Sequence, residues 1–397
     1  MSRSNTACFS PQTQASFLAY NISMSKQTWI IILIFAAFIP VAISATIHKS
    51  VPFQITSHSN SFHHFLPDHR ITQNKFFLPN ALAQADSQWY LKIASDGYPR
   101  SPVLTTLADK KSMDYPSYAF FPLYPMLIRL VNQVVGDVEI SAFILMIILL
   151  VSNTILLSKY FGPKTTLLIL IFPFSIFFRS YYTESLQILL LTLFIVSLVK
   201  KRLVAASLFV GLLTITKGTT LLLLPFTWYK LISSTDSLKS KFTGFILSIL
   251  PITLWSTYCY LQTGDFFIFL GVRSLWFEAN LLTPLYNLGS LLNTRFLESH
   301  FPHYSFIENT FFLFFSVVLL KAKKLLTSDM FLIGLCLFIL PIFTTDLTSF
   351  SRYQSINIPL FLFLSKIRHQ NYVLVALTFF LSLVFITPFF INWYWVG

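Results

Sequence analysis

The sequence predicts an all-α, polytopic integral membrane protein: a bundle of about eleven transmembrane helices with a long first extracytoplasmic loop. Three observations predict it. The chain of 397 residues is 55% apolar and only 11% charged, where a soluble domain carries about a quarter charged residues. Apolar runs recur along the chain, among them Trp29 to Thr46, Phe143 to Leu157, Phe242 to Tyr260 and Tyr372 to Phe390. Each is long enough, or nearly so, to cross a hydrocarbon core about 30 Å thick. The bases between these runs, finally, gather on one side. Only helices and closed barrels satisfy their backbone in lipid, and runs of this length select helices. No stretch reads as a soluble domain.

Residues 1–27 read as a polar, weakly basic cytoplasmic tail, and 28–397 as a single transmembrane domain. Trp29 to Thr46 reads as an uncleaved anchor, because no small-residue cleavage site closes a short apolar region. Crossings are placed at 28–47, 138–158, 165–180, 185–199, 203–214, 219–230, 242–261, 308–320, 329–345, 354–365 and 371–391. The first outer loop then covers 48–137 and a second outer loop 262–308. Within the first, 118–135 carries Pro122, Pro125 and Arg129 and reads as an outer-face or re-entrant helix. The run 203–229 would be about 40 Å long as one helix, with Lys217 near its middle. Two short segments meeting at Thr216-Lys217-Gly218-Thr219 fit better, in a thinned membrane or beside a groove.

The charge distribution orients this topology. With the N-terminus inside, the cytoplasmic bases are Arg3, Lys26, Lys159, Lys164, Lys200, Lys201, Arg202, Lys230, Lys239, Lys241, Lys321, Lys323, Lys324, Lys366 and Arg368. Only Asp236 and Asp329 join them, so the whole net charge of +13 is cytoplasmic. Cytoplasmic loops are short and Lys-rich, whereas the outer ones are long, aromatic and mixed in charge. Function is therefore expected on the outer face.

The chemistry-bearing residues are few. Cys8, Cys259 and Cys336 form neither a disulfide framework nor a zinc spacing. No Walker or dinucleotide fingerprint appears, and no nucleic-acid partner is expected. His58, His63, His64 and His69 with Asp68 form a His-rich tract, but it matches no helical His-x-x-x-His face. No metal and no cofactor is expected. Asn21-Ile22-Ser23 is a glycosylation triplet on the cytoplasmic side of this topology. The candidate that stands out is Asp86, in Asp-x-x-Trp-Tyr-x-x-Ile-Ala followed by Asp96-Gly97-Tyr98. Trp89, Tyr90 and Ile93 recur at helical spacing, so Asp86 opens a short helix at the interface. As a helix N-terminal residue it serves either as an N-cap or as a general base. Asp96 and Asp114 are second-carboxylate candidates.

Asp86-Ser87-Gln88-Trp89-Tyr90-Leu91-Lys92-Ile93-Ala94-Ser95-Asp96-Gly97-Tyr98 and Phe120-Phe121-Pro122-Leu123-Tyr124-Pro125 resemble the GPI-mannosyltransferase (PIG-V-like) family and its bacterial relatives. Tyr182-Thr183-Glu184-Ser185, Gly211 to Leu224, Thr263-Gly264-Asp265 with Trp276, and Arg352-Tyr353 before Pro359 follow in the family's order. The likeness runs over about residues 28 to 397. Two departures stand out. Ala85 replaces the family's Trp before the aspartate, and Lys217 replaces an Arg, keeping a cation but losing a bidentate fork.

The resemblance implies a GT-C-type glycosyltransferase that takes a sugar, mannose in the family, from a polyprenyl- or dolichyl-phosphate donor. The acceptor is a hydroxyl of a glycolipid, glycan or protein, on the extracytoplasmic or lumenal face of a bacterial plasma membrane or the endoplasmic reticulum. Asp86 is the implied base. Arg352, Lys217 and Arg179 are the candidates for the donor phosphate. Gln88, Trp89, Tyr90, Tyr124 and Glu184 are expected to contact substrate, Glu184 alternatively capping the helix that follows it. The rival readings are a multi-span lipid-glycan transporter or flippase, a glycan ligase, and a structural membrane subunit without chemistry.

Overall fold

The computed structural model describes residues 26–59, 64–100, 115–275, 282–290, 304–344 and 347–396. His63, Asp114, Trp276, Arg3 and the triplet at 21–23 lie outside the described residues. The fold is all-helical, with no strand among the described residues. In chain order the principal helices are α1 (Lys26–Ile47), α2 (Ser87–Asp96), α3 (Leu123–Val135), α4 (Val138–Phe161), α5 (Pro163–Ile171), α6 (Glu184–Val199) and α7 (Leu203–Thr214). They continue with α8 (Leu223–Ser233), α9 (Leu238–Thr263), α10 (Tyr304–Ala322), α11 (Ser328–Ile339), α12 (Phe350–Gln354), α13 (Ile358–Leu364) and α14 (His369–Ile391).

Among the described residues four helices are long and apolar enough to cross a membrane: Gln27–Ile47, Val138–Phe161, Leu238–Thr263 and His369–Ile391. Their outward faces are greasy. Ile31, Ile34 and Phe35 on α1, Phe242 and Leu254 on α9, and Leu374 and Leu381 on α14 are all exposed, as suits a membrane protein. Several of the other expected crossings are shorter or broken. The segment 165–180 is one: α5 stops at Ile171, since Phe172 precedes Pro173 and is pushed to an extended backbone (φ −57°, ψ 138°). A 3-10 turn, Pro173–Phe178, follows. The run 203–229 is likewise interrupted, as α7 ends at Thr214 and a 3-10 turn at Gly218–Thr220 precedes α8.

Phenylalanine fills the core. The ring of Phe172 meets those of Phe174, Phe311, Phe315, Phe361 and Phe379 at centroid distances of 5.1 to 5.8 Å. Those contacts tie the end of α5 to α10, α13 and α14. Small residues let other helices approach closely. A Cβ on Gly211 of α7 would collide with the Leu247 carbonyl of α9, and one on Gly244 would stand 2.9 Å from Leu231.

Arg179 is fully buried within this frame. Pro40 in α1 has no N–H, which leaves the Ala36 carbonyl without its helical donor. Arg179 Nη2 supplies one at 2.9 Å, while its Nε reaches the Ala37 carbonyl at 2.7 Å. The same guanidinium donates to the carbonyls of Leu170 and Ser175. Its role here is to join α1 to the broken end of α5.

Candidate active site

The segment 48–137 is positioned by three latches. Gln88, at the start of α2 and buried, accepts at Oε1 from the Phe65 and Leu66 amides and donates to the Ala83 carbonyl. Arg129 of α3 donates to the carbonyls of Ala94 and Ser95 at the end of α2. Asp68 forms the third. Its Oδ2 accepts from Arg70 Nη2 at 2.7 Å and from the Trp393 indole at 3.1 Å. Arg70 in turn donates to Asn392 Oδ1 and the Ile391 carbonyl, so the loop and the C-terminal segment are held together. Burial alone would raise the Asp68 carboxyl. The Arg70 hydrogen bonds outweigh it and hold the group below the usual aspartate value.

These latches place Asp86 at the wall of a cavity of about 520 Å³. The side chain of Asp86 makes no capping bond to its own helix, which removes the N-cap reading. Its Oδ2 instead accepts from Arg352 Nη1 at 3.3 Å, and the carboxylate is 21% exposed. Oδ1 has no hydrogen-bond partner among the described residues. The Asp86 amide donates to the Tyr182 hydroxyl at 3.1 Å, and that hydroxyl donates to the Gln84 carbonyl.

Behind Asp86 lies a buried charge cluster. Glu184, at the first turn of α6, is fully buried. Its Oε1 accepts from Lys217 Nζ at 2.6 Å and from Arg352 Nε at 2.7 Å. One carboxylate oxygen thus fixes both cations, and Arg352 links it to Asp86. Aromatic rings complete the enclosure. The Arg352 guanidinium lies 4.8 Å from the Tyr182 ring centroid and 4.9 Å from that of Phe177, and Lys217 Nζ lies 4.5 Å from that of Tyr353. Lys217 sits where α7 is broken. Burial, with the Arg352 charge adding to it and Glu184 opposing, pushes its ammonium down to about 8.

The structure therefore brings Asp86, Trp89, Tyr90, Lys217 and Arg352 to one cavity. Gln88, Tyr124, Glu184 and Arg179 do not line it. Gln88 and Arg179 have their donors engaged with backbone, and Glu184 acts from behind through its cations. Tyr124 backs Tyr90 edge-on at 5.4 Å. Asp96 pairs with Lys92 at the far end of α2. Two parts of the wall had no signal in the sequence reading, Arg273 and the C-terminal Trp393-Tyr394-Trp395. The only available hint was an aromatic run just past the last apolar segment.

Strain concentrates here. Three of the six non-glycine residues with left-handed φ among those described, Ala85 (46°), Ser349 (62°) and Trp393 (66°), line the cavity. Each costs about 1–2 kcal/mol, and such positions cluster where side chains must be aimed. Among the described residues no group of three His, Cys, Asp or Glu could hold a metal ion.

Fold and site together define an all-helical protein in which helix ends and connecting segments form a half-open cavity lined by a carboxylate and three cations. No protein-family model, no curated protein and no solved structure matches this chain.

Proposed function

We propose that the protein is a GT-C-like membrane glycosyltransferase of about eleven crossings. It transfers a sugar from a polyprenyl- or dolichyl-phosphate donor to a hydroxyl acceptor at the extracytoplasmic face. The observation that carries the reading is the convergence on one cavity of Asp86, with one oxygen held and one open, and the cations Lys217 and Arg352. The one-sided charge of the loops supports the outward orientation. The family resemblance supplies mannose as the sugar.

The chemistry follows from the groups present. An acceptor hydroxyl at Asp86 Oδ1 gives up its proton as its oxygen attacks the anomeric carbon. The bond from that carbon to the phosphate oxygen breaks, and its electron pair leaves with the phosphate. Positive character on the sugar ring in the transition state is favoured by the nearby carboxylate. Attack from the side opposite the leaving group inverts the anomeric centre. Arg352 positions Asp86 while Glu184 positions Arg352. The aromatic walls lower the local dielectric and strengthen each of these interactions.

The test is transfer from labelled polyprenyl-phosphate mannose or glucose to a panel of acceptors by the purified protein. Asp86→Asn, with unchanged thermal unfolding, is expected to lower the rate by about 10²–10⁴. Full activity in that variant would sink the assignment. The interrupted helix at Lys217 also favours a second reading, a lipid-glycan transporter. Movement of label across vesicles without a new glycosidic bond would select it.

A further inference from the structure

Arg273 sits on a single 3-10 turn, Val272–Leu275, that follows α9. Its backbone is well anchored. Val272 is fully buried, and Phe269 just before it packs on Phe121 at 5.5 Å. Half-buried Arg273 lines the same cavity as Asp86, Lys217 and Arg352. It lies against Gly218, where a Cβ would stand only 3.4 Å from Nη1. The backbone beside Lys217 therefore approaches it closely.

The cavity's charge balance singles this residue out. Lys217 and Arg352 share Glu184, and Arg352 also holds Asp86. Two cations and two carboxylates neutralise one another. Arg273 has no ion pair and no hydrogen bond from its side chain among the described residues, so among these the surplus positive charge of the site is its own. A cation beside a half-open cavity rich in aromatic rings calls for an anion that enters with apolar surface attached.

We infer that Arg273, rather than Lys217 or Arg352, binds the phosphate of a prenyl-type lipid phosphate. The inference rests on the glycosyl-transfer reading for the identity of that lipid. A sugar phosphodiester carries one negative charge, which matches the one cation left unpaired among the described residues of the cavity wall. When the sugar–oxygen bond breaks, the electron pair adds a second charge to the same phosphate. A guanidinium meets that charge with two parallel N–H donors. Lys217 and Arg352 would have to leave Glu184 to do the same, stranding a buried carboxylate.

The experiment is a binding titration of purified protein in detergent, with neither sugar nor acceptor. The probes are geranyl phosphate and geraniol, read by calorimetry and by the fluorescence of Trp89, Trp393 and Trp395 in the cavity wall. Wild type is expected to bind the phosphate at least about tenfold more tightly than the alcohol. Arg273→Ala removes that preference and leaves geraniol binding unchanged, Arg273→Lys keeps part of it, and Lys239→Ala serves as a remote control. Equal phosphate affinity in wild type and Arg273→Ala overturns the inference. So does a wild type without preference for the phosphate, or an equal loss for the alcohol. Arg273-dependent phosphate binding in a protein that transfers no sugar would reject the transfer reading and leave this one standing.

Discussion

Arg352 Nη1 lies 3.3 Å from Asp86 Oδ2, joining two residues 266 positions apart in the chain. The same guanidinium donates from Nε to Glu184 at 2.7 Å and is only 4% exposed. A residue so placed cannot be changed without altering both carboxylates. Charges held this deep are strongly coupled, because little water intervenes to screen them.

The first consequence concerns Glu184. Removing it leaves Lys217 and Arg352 buried without their shared acceptor. Glu184→Ala is expected to cost about 3–5 kcal/mol of stability. Adding Lys217→Met should restore part of that loss, since one stranded cation goes with it. Thermal unfolding of the two single variants and the double variant in detergent checks this. Additivity within about 0.5 kcal/mol would show that the pair is not coupled.

Arg352→Lys tests geometry rather than charge. An ammonium is a compact point charge and cannot hold Glu184 from one edge and Asp86 from another. Under the transfer reading kcat should fall by about a hundredfold, as misplacement by an ångström does, while KM for the lipid donor stays close to wild type. A rise in KM with unchanged kcat would assign Arg352 to donor binding instead.

The sequence was legible where local physics decides. Residues 28–47, 138–158, 242–261 and 371–391 read as spans because length and hydropathy suffice, and the long helices Gln27–Ile47, Val138–Phe161, Leu238–Thr263 and His369–Ile391 contain them. The break at Lys217 was visible because a charge and a glycine interrupt an apolar run. Phe172 before Pro173 carried a comparable stop signal, yet the apolar residues on both sides of it, Leu167 to Phe172 and Ile176 to Phe178, hid it. The cluster around Asp86 was legible only as candidates, since nothing local says that Glu184 holds Lys217 and Arg352. Arg273 and Trp393 were out of reach. One is an ordinary loop base and the other a residue in an aromatic tail, and only tertiary packing brings them to the cavity.

Arg179 shows how charge alone misleads. As a base at a turn beside Glu184, it qualified as a phosphate ligand. Its donors instead satisfy carbonyls that Pro40 and the end of α5 leave open. Arg179→Lys is expected to cost about 2–4 kcal/mol, as several buried carbonyls lose charged donors. The folded fraction should keep its affinity for lipid phosphate. Calorimetric binding alongside thermal unfolding separates the two effects, and a selective loss of phosphate affinity would return Arg179 to the site.

The latch between Asp68 and the C-terminal segment gives the last prediction. Trp393 forms part of the cavity wall, and its indole donates to Asp68 Oδ2. Asn392 is held by Arg70, and its carbonyl accepts from the Gln54 amide at 2.9 Å. Because the folded carboxyl of Asp68 titrates below its ordinary value of 3.8, its contribution is fully present above that value. It is lost as pH falls through the depressed folded value. At neutral pH the latch is closed, and Asp68→Asn should open it by replacing one charged acceptor with a weaker, partly donating amide. Hydrogen exchange of the Gln54 amide and of the segment 391–396 is expected to quicken by about tenfold in Asp68→Asn. Exchange in the core helix α6 should not change. Unaltered protection at Gln54 would mean that packing of Trp393 against His58, 4.6 Å away, holds the segment without the carboxylate.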